Sequence, residues 1–558
     1  MSQESIYVQK PWLKHYDPGV PATLEYPQVS YVELIRKAFD QVPDRAALCY
    51  MGQQIPYREL DRLSNQMAHV LEKSGCRPGD TVGVHLPNLP ACYITAIAIQ
   101  KAGCVFTGVS PLLTPEELAY QLKDSGAKAL VTLDFFYDVV TSVIGGTGVR
   151  AVFVTGLNDF LPQAETAAPL AAIPGVTTAR FLEALADAPA DPVQVRVDPG
   201  DPCLMMYTGG TTGQPKGAVL TQNNIVHQIV QLTAWMRSAM GEQTILCAFP
   251  LFHQAGNIIA LWSLAVGSTL PMVPNPRDLD FIIQSIKDYR PTAIYNVPTL
   301  FLELLKRPDF RALDFSGVQY FGSGASPFPA ESIKELEDLV GAGKLIEVYG
   351  MTETSPILTA LPRDGVKKAG SVGLPLPDTE VRLVDPDTNR EAPLGEPGEF
   401  VARGPQVFTR GYHNKTEDTA FTLRNGWIHT GDIAVMDEDG YLFIVDRLKD
   451  MVSVSGYKVF TRQVDEVLMQ HPDIDNVATI GLPDPKRPGS EIVACGVILK
   501  SGREKGDAMR ENIVAYMKEK VAPYKVPKVI RFVDQLPMSA VGKILKKDMR
   551  KVLMEAET

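Results

Sequence analysis

The sequence predicts an α/β protein: a large N-terminal domain of layered, largely parallel sheets with helices plus a β-rich subdomain, then a small α+β C-terminal domain. Three observations carry this. Short apolar runs alternate with stretches of helical periodicity through most of the chain, as βα layers require. Near Asp432 this gives way to paired strand-like runs around a polar turn. At 558 residues, the chain exceeds what one compact core holds, so two or more domains are expected.

Residues 1–30, with Pro11, Pro18, Pro21 and Pro27, read as irregular. From Tyr57 the apolar positions Leu60, Leu63, Met67, Val70 and Leu71 recur at helical spacing, and Gly75 stops the helix. Thr81–Val84 reads as a buried strand. Thr114-Pro115-Glu116-Glu117 is a capping box with proline at the first helical position, and its helix ends near Gly126. Ala129–Leu133 follows as a strand. Residues 158–195, rich in Ala and Pro, read as a surface excursion. Cys203–Met206 reads as a strand and Asn224–Met236 as a helix. Further strands are predicted at Thr244–Phe249, Ala293–Val297, Val318–Phe321 and Leu345–Tyr349, with a ligand at the carboxyl ends of such strands.

Ile433–Met436 and Tyr441–Val445 flank Asp437-Glu438-Asp439-Gly440 and form an antiparallel hairpin. Asp446–Asp450 is a charged break. Beyond it lies a piece of roughly a hundred residues, a normal domain size. Its helices fall near Arg462–Gln470 and Met509–Val521, its strands near Val477–Gly481, Ile492–Leu499 and Val529–Val533. The expected units are 1–446, a hinge at 447–450, and 451–558.

A hydrophobic fraction of 45% and a charged fraction of 21% are ordinary for a globular protein. The net charge of −11 argues against nucleic acid as a partner, because phosphate backbones need clustered Lys and Arg. The cysteines (Cys49, Cys76, Cys92, Cys104, Cys203, Cys247 and Cys495) are scattered, without metal-ligand spacing, and read as reduced thiols in apolar positions. Met1-Ser2-Gln3-Glu4 does not open a secretory signal, and Glu555-Ala556-Glu557-Thr558 is no peroxisomal tripeptide. No apolar window reaches the roughly 18 residues of a membrane span. A cytoplasmic location is expected, as a monomer or homodimer; peripheral membrane contact is left open.

The chemistry concentrates in Tyr207-Thr208-Gly209-Gly210-Thr211-Thr212-Gly213-Gln214-Pro215-Lys216-Gly217, which holds four glycines, three threonines and one lysine. Glycine lets backbone N–H groups approach a ligand, and successive N–H groups form an anion-binding concavity. Threonine hydroxyls and the Lys216 ammonium add donors and charge, which together suit nucleotide phosphates. It is not a Walker loop, because Pro215 and Gly217 flank the lysine.

Tyr349-Gly350-Met351-Thr352-Glu353-Thr354 closes a strand with an aromatic that can stack on a base and a carboxylate that can hold Mg²⁺ beside phosphates. Gly322-Ser323-Gly324-Ala325-Ser326-Pro327 lacks the third glycine of a dinucleotide fingerprint. Asp432 offers two oxygens to a ribose. His253 follows an apolar strand, Ser453–Val459 contains Gly456 in a turn, and Lys543 stands in Pro537-Met538-Ser539-Ala540-Val541-Gly542-Lys543.

These motifs, in this order, resemble the adenylate-forming superfamily of acyl-CoA synthetases, luciferases and peptide-synthetase adenylation domains. The Tyr-Thr-Gly-Gly-Thr-Thr-Gly version resembles its fatty-acyl-CoA ligase branch, and the resemblance spans roughly residues 30–550. It implies that Thr208, Gly209, Gly210, Thr211, Thr212, Gly213 and Lys216 hold phosphates. It places Tyr349 and Gly350 at adenine, Thr352 near the α-phosphate, Glu353 on Mg²⁺, and Gly324 and Ala325 along the adenine and acyl pockets. Asp432 then binds the ribose, Arg447 reaches the ribose or phosphate, Lys449 is the hinge of a mobile C-terminal domain, and Gly456, Tyr457 and Lys458 line the CoA tunnel. Lys543 catalyses adenylation, in a catalytic set with Thr208, Glu353 and His253. Trp235, His253, Gly324, Ala325 and Ile357 shape the acyl pocket.

The implied reaction joins a carboxylic acid to CoA with ATP and Mg²⁺, through an acyl-adenylate, releasing pyrophosphate and AMP. No acidic or basic anchor appears among the acyl-pocket candidates, so an apolar medium- or long-chain fatty acid or a cyclic acid is expected. An adenylase loading a separate carrier protein shares the first half-reaction. A luciferase-like oxygenase shares the motifs. A non-catalytic acyl or nucleotide sensor should have lost Lys543 or Glu353, and both are present.

Overall fold

The computed structural model describes residues 5–162, 168–208, 214–326, 328–455, 457–487, 489–538 and 544–554. Two sheets carry most of the chain. The first has seven strands in the order Thr177–Arg180, Ala151–Thr155, Ala129–Leu133, Thr81–His85, Val105–Gly108, Pro202–Thr208, Lys216–Thr221. Its neighbours run parallel except the last pair. The second begins with Ile245–Cys247, Ala293–Asn296, Tyr320–Ser323 and Leu345–Gly350 in parallel, then adds Ile357–Ala360 and Leu374–Pro375 antiparallel.

Composition explains the layering. Every residue of the helix Pro90–Lys101 is buried, and all but Ala255 of the helix Gln254–Ala265. Helices apolar on all sides belong inside a core and not on its surface. The helix Tyr57–Lys73, with Arg58, Glu59 and Asp61 outward and Leu60, Met67 and Leu71 inward, packs on Pro90–Lys101 from the solvent side.

The β-rich part is an antiparallel sheet of Glu380–Val384, Gly398–Arg403, Trp427–Met436, Leu423–Arg424 and Leu442–Arg447. In the C-terminal part, Ile474–Pro483 and Glu491–Leu499 pair antiparallel, and Val529–Phe532 runs parallel to the middle strand. The helices Thr461–Met469 and Lys546–Met554 pack on this sheet, and Asp507–Lys520 packs on Thr461–Met469. The α/β class, with parallel sheets, a β-rich part and a C-terminal α+β domain, is thus observed.

Three local readings need correction. The stretch 158–195 is not all excursion: Thr177–Arg180 forms an edge strand of the first sheet, and the helix Phe181–Ala186 buries Phe181 and Leu185. Four strand and six helix residues are too few for periodicity to register. The N-terminal residues contain helical turns at Ile6–Gln9 and Pro11–His15, anchored by Trp12, which is buried. Gly440 permits that contact, since a Cβ there would lie 2.7 Å from the Trp12 Cβ. Finally, the glycine-rich loop returns into a strand, Lys216–Thr221, before the helix Gln222–Trp235 begins. All seven cysteines are buried and unpaired. Among the described residues, no helix is long and apolar enough to cross a membrane.

Candidate active site

The site is assembled where the second sheet meets the antiparallel one. Leu345–Gly350 ends at Tyr349-Gly350, and the chain folds straight back so that Gly350 pairs with Ile357. A Cβ on Gly350 would run into the Pro356 carbonyl, so only glycine fits this return. The ring of Tyr349 stacks on Phe400 with centroids 5.3 Å apart and planes at 22°. Its phenol donates to Asp432 Oδ2 at 2.7 Å. Burial, reinforced by the Asp432 carboxylate, holds that phenol well above its ordinary pKa, so it remains a donor. Arg447 is the cross-strand partner of Asp432, its Nε 3.5 Å from Oδ1.

The loop 207–217 is held at both ends by the helix Pro115–Asp124. Tyr207 donates to Asp124 Oδ2 at 2.7 Å, and Tyr120 donates to the Pro215 carbonyl at 2.9 Å. Thr208 and Lys216 are cross-strand partners that close the hairpin. Gly209, Gly210, Thr211, Thr212 and Gly213 lie outside the described residues. The Lys216 ammonium pairs with Asp418 and sits 5.5 Å from the centroid of the Tyr412 ring. Tyr412 in turn donates its hydroxyl to Glu353 Oε1. Glu353 is buried in the turn Thr352–Thr354, against which the strand Lys216–Thr221 packs. The buried Glu353 carboxylate, with the Tyr412 hydroxyl on it, offers oxygen alone, the donor type that a hard cation such as Mg²⁺ takes.

The remaining candidates divide. At Gly324 a Cβ would come 2.7 Å from Val348 Cγ2, and Ala325 adopts φ +70°, so this turn lies tight against the strand that leads to Tyr349. Lys449 is exposed, and partial desolvation together with the Arg447 cation lowers its pKa. Tyr457 is exposed and stacks on Tyr524 with centroids 4.7 Å apart. Lys458 lies 3.5 Å from Asp387. Gly456 and Lys543 lie outside the described residues.

His253 is the N-cap of Gln254–Ala265, its Nδ1 accepting from the Ala255 N–H at 3.3 Å. Trp235 is 1% exposed; its indole N–H donates to the Leu361 carbonyl at 3.0 Å, and its ring packs edge-on against Tyr16. Ile357 is buried beside Gly350, its N–H donating to Gln228 Oε1 at 2.7 Å. His253 and Trp235 are therefore tied into helix capping and core packing.

Phe400, Tyr412 and Asp418 were not anticipated. Each reaches the site through tertiary contact, and no local spacing marks them. Glu347 is another. It lies on the same strand face as Tyr349, two residues earlier, as side-chain alternation dictates. Burial pushes its carboxyl up to about 7, against the opposing pull of Arg462 and the Phe328 N–H. With its folded pKa above its unfolded one, the group favours folding fully below about 4.5, and that contribution is lost as pH rises through about 7. Glu347→Gln should therefore raise the melting temperature more at pH 8.5 than at pH 5, by the equivalent of about 2–3 kcal/mol. An equal shift at both pH values would contradict this.

A βα scaffold with a stacked tyrosine, a paired Asp and Arg and a buried Glu at its strand ends fits a nucleotide-using enzyme. The chain belongs to the AMP-binding enzyme family: that family's model matches residues 35–413, and the model of its C-terminal domain matches 463–543. It is 35% identical over 561 residues to the long-chain-fatty-acid–CoA ligase of Escherichia coli O6:H1, covering 97% of this chain and 98% of that one. It is 35% identical over 511 residues to the feruloyl-CoA synthase of an Amycolatopsis species, covering 91% and 96%. The crystal structure of the anthranilate CoA ligase AuaEII in complex with anthranoyl-AMP superposes with a TM-score of 0.84 at 25% identity, covering 96% and 99%. The enzyme is an AMP-forming acid–thiol ligase.

Proposed function

We propose that the enzyme activates an apolar carboxylic acid, a medium- or long-chain fatty acid or a cyclic acid, and transfers it to CoA. The observation that supports this is that Tyr349, Asp432 and Arg447 meet, while Tyr412 joins Glu353, four residues after Tyr349, to Lys216. Adenine lies on Tyr349 and along Gly350, Gly324 and Ala325. Asp432 accepts from the ribose hydroxyls, and Arg447 steadies Asp432. Thr208, Gly209, Gly210, Thr211, Thr212, Gly213 and Lys216 surround the β- and γ-phosphates, with Thr352 near the α-phosphate. Glu353 would hold Mg²⁺, which supplies charge neutralisation at the phosphates when bound.

A carboxylate has no leaving group better than oxide. Its oxygen therefore attacks the α-phosphorus, the bond to pyrophosphate breaks, and an acyl-adenylate forms. Lys543, a compact cation, stabilises charge between the carboxylate and the α-phosphate. The CoA thiol, losing its proton, then attacks the acyl carbon and AMP leaves.

Two domains, 1–446 and 451–558, joined at 447–450, would let Lys543 serve the first step and Gly456, Tyr457 and Lys458 the second, by rotation at Lys449. Across that joint, Asp446 accepts from the Thr461 hydroxyl at 2.9 Å and from its N–H, and Arg462 donates to the Ile444 carbonyl at 2.8 Å. Rotation must part these bonds. His253, Trp235, Ile357, Gly324 and Ala325 offer an acyl tail no carboxylate, ammonium or guanidinium. The relatives are named for a long-chain fatty acid, ferulate and anthranilate, which span linear and cyclic acids.

Pyrophosphate release across linear, cyclic and aromatic acids, with and without CoA, tests the reading. CoA-dependent turnover with one group of acids is expected. Release that CoA does not stimulate would favour an adenylase that loads a separate carrier protein.

A further inference from the structure

The segment from Phe408 to Thr422 crosses from the antiparallel sheet to the edge of the seven-stranded one. Backbone hydrogen bonds anchor it at two places. The Phe408 N–H donates to the Glu353 carbonyl at 2.8 Å. The Val219 N–H donates to the Gly411 carbonyl at 3.0 Å, and the His413 N–H to the Gly217 carbonyl at 2.8 Å. The segment thereby extends the hairpin of the loop by one more strand-like run, with Ala218 and Tyr412 bridged. Thr419 braces the crossing: its Oγ1 accepts from the Tyr412 N–H at 2.9 Å.

Tyr412 stands at the midpoint of this crossing and has two functional faces. Its hydroxyl donates to Glu353 Oε1, and its ring lies under the Lys216 ammonium. The ring restrains Lys216 from one side while Asp418 pairs with it. One side chain thus contacts both the Glu353 carboxylate and the Lys216 ammonium.

We propose that Tyr412 is a positioning residue for adenylation: its O–H orients Glu353 toward Mg²⁺, and its ring orients Lys216 toward the phosphates of ATP. The proposal rests on the roles given above to Glu353 and Lys216. A ligating carboxylate held by an outer hydrogen bond loses about 10- to 100-fold in metal affinity when that bond is removed. The two faces are separable by substitution. Tyr412→Phe deletes the hydroxyl and keeps the ring, whereas Tyr412→Leu deletes both.

The test is calorimetric ATP binding, with Mg²⁺ and with chelator, beside the thioester half-reaction from supplied acyl-adenylate. Tyr412→Phe is expected to weaken ATP binding about tenfold with Mg²⁺ and to leave it unchanged with chelator. Tyr412→Leu is expected to weaken it under both conditions. Thioester formation should stay within about twofold in both variants, which a general structural defect would not allow. Equal weakening by Tyr412→Phe with and without Mg²⁺, no weakening, or parallel loss of both half-reactions would overturn the proposal. Glu353→Gln and Lys216→Ala serve as reference variants. If they too leave ATP binding intact, the reading of the site fails; if they weaken it while Tyr412→Phe does not, only the positioning role fails.

Discussion

Lys543→Ala is expected to slow pyrophosphate release by about 10²- to 10³-fold, the usual consequence of removing one preorganised donor from developing charge. The same variant should convert supplied acyl-adenylate and CoA to thioester at close to the parent rate. The asymmetry follows from the chemistry. Negative charge gathers between the carboxylate and the α-phosphate only in the first step, and the second step begins with that bond already made. Phosphoryl transfer relies on positioning and charge stabilisation, so a missing cation cannot be replaced by the phosphate loop, which would serve the other two phosphates. Rapid-quench assays of each half-reaction measure the two rates separately. Equal loss of both would contradict separate roles for Lys543 and the segment around Gly456.

Gly350→Ala carries the second large effect. The new methyl group would meet the Pro356 carbonyl oxygen, the Pro356 carbonyl carbon at 2.8 Å and the Ile357 Cα at 3.0 Å, all backbone. Backbone cannot rotate aside as a side chain can, so the return from Leu345–Gly350 to Ile357–Ala360 must open. Overpacking of this kind costs about 1–3 kcal/mol. The displacement acts next to Tyr349, so the Phe400 stack and the hydrogen bond to Asp432 move with it. A lowered midpoint in urea together with weakened ATP binding is expected. Gly317→Ala is the control, because no atom lies within 4 Å of a Cβ there, and it should change neither. Intact stability and ATP binding in Gly350→Ala would refute the steric account.

How much of this was legible beforehand depended on whether the signal was local. The helix Tyr57–Lys73, the capping box at Thr114 and the strand Ala129–Leu133 were readable, because caps and periodicity lie within neighbouring residues. The hairpin Trp427–Met436 with Leu442–Arg447 was readable from its polar turn. The strand Lys216–Thr221 was hidden, because Lys216-Gly217 looked like the end of a loop and its pairing partner precedes that loop.

At the site, Tyr349, Glu353, Asp432 and Arg447 were named from motifs, and Tyr349, Asp432 and Arg447 meet directly. Phe400, Tyr412 and Asp418 were invisible for the opposite reason. An aromatic in a strand, a tyrosine after glycine and an acid at a helix start each have ordinary local explanations. Their function exists only once the antiparallel sheet is laid against the parallel ones. Nothing local marks Glu347 either; its raised pKa comes from burial in the folded chain.

The most direct measurement follows the oxygen. An accepted acid labelled with ¹⁸O in its carboxylate is turned over with ATP, Mg²⁺ and CoA, and the products are weighed by mass spectrometry. Attack of the carboxylate on the α-phosphorus transfers one labelled oxygen to AMP and none to pyrophosphate, and that is the expected result. Unlabelled AMP, or label in a phosphate other than that of AMP, would mean that no acyl-adenylate lies on the path and would contradict the assignment of every residue around Tyr349 and Glu353.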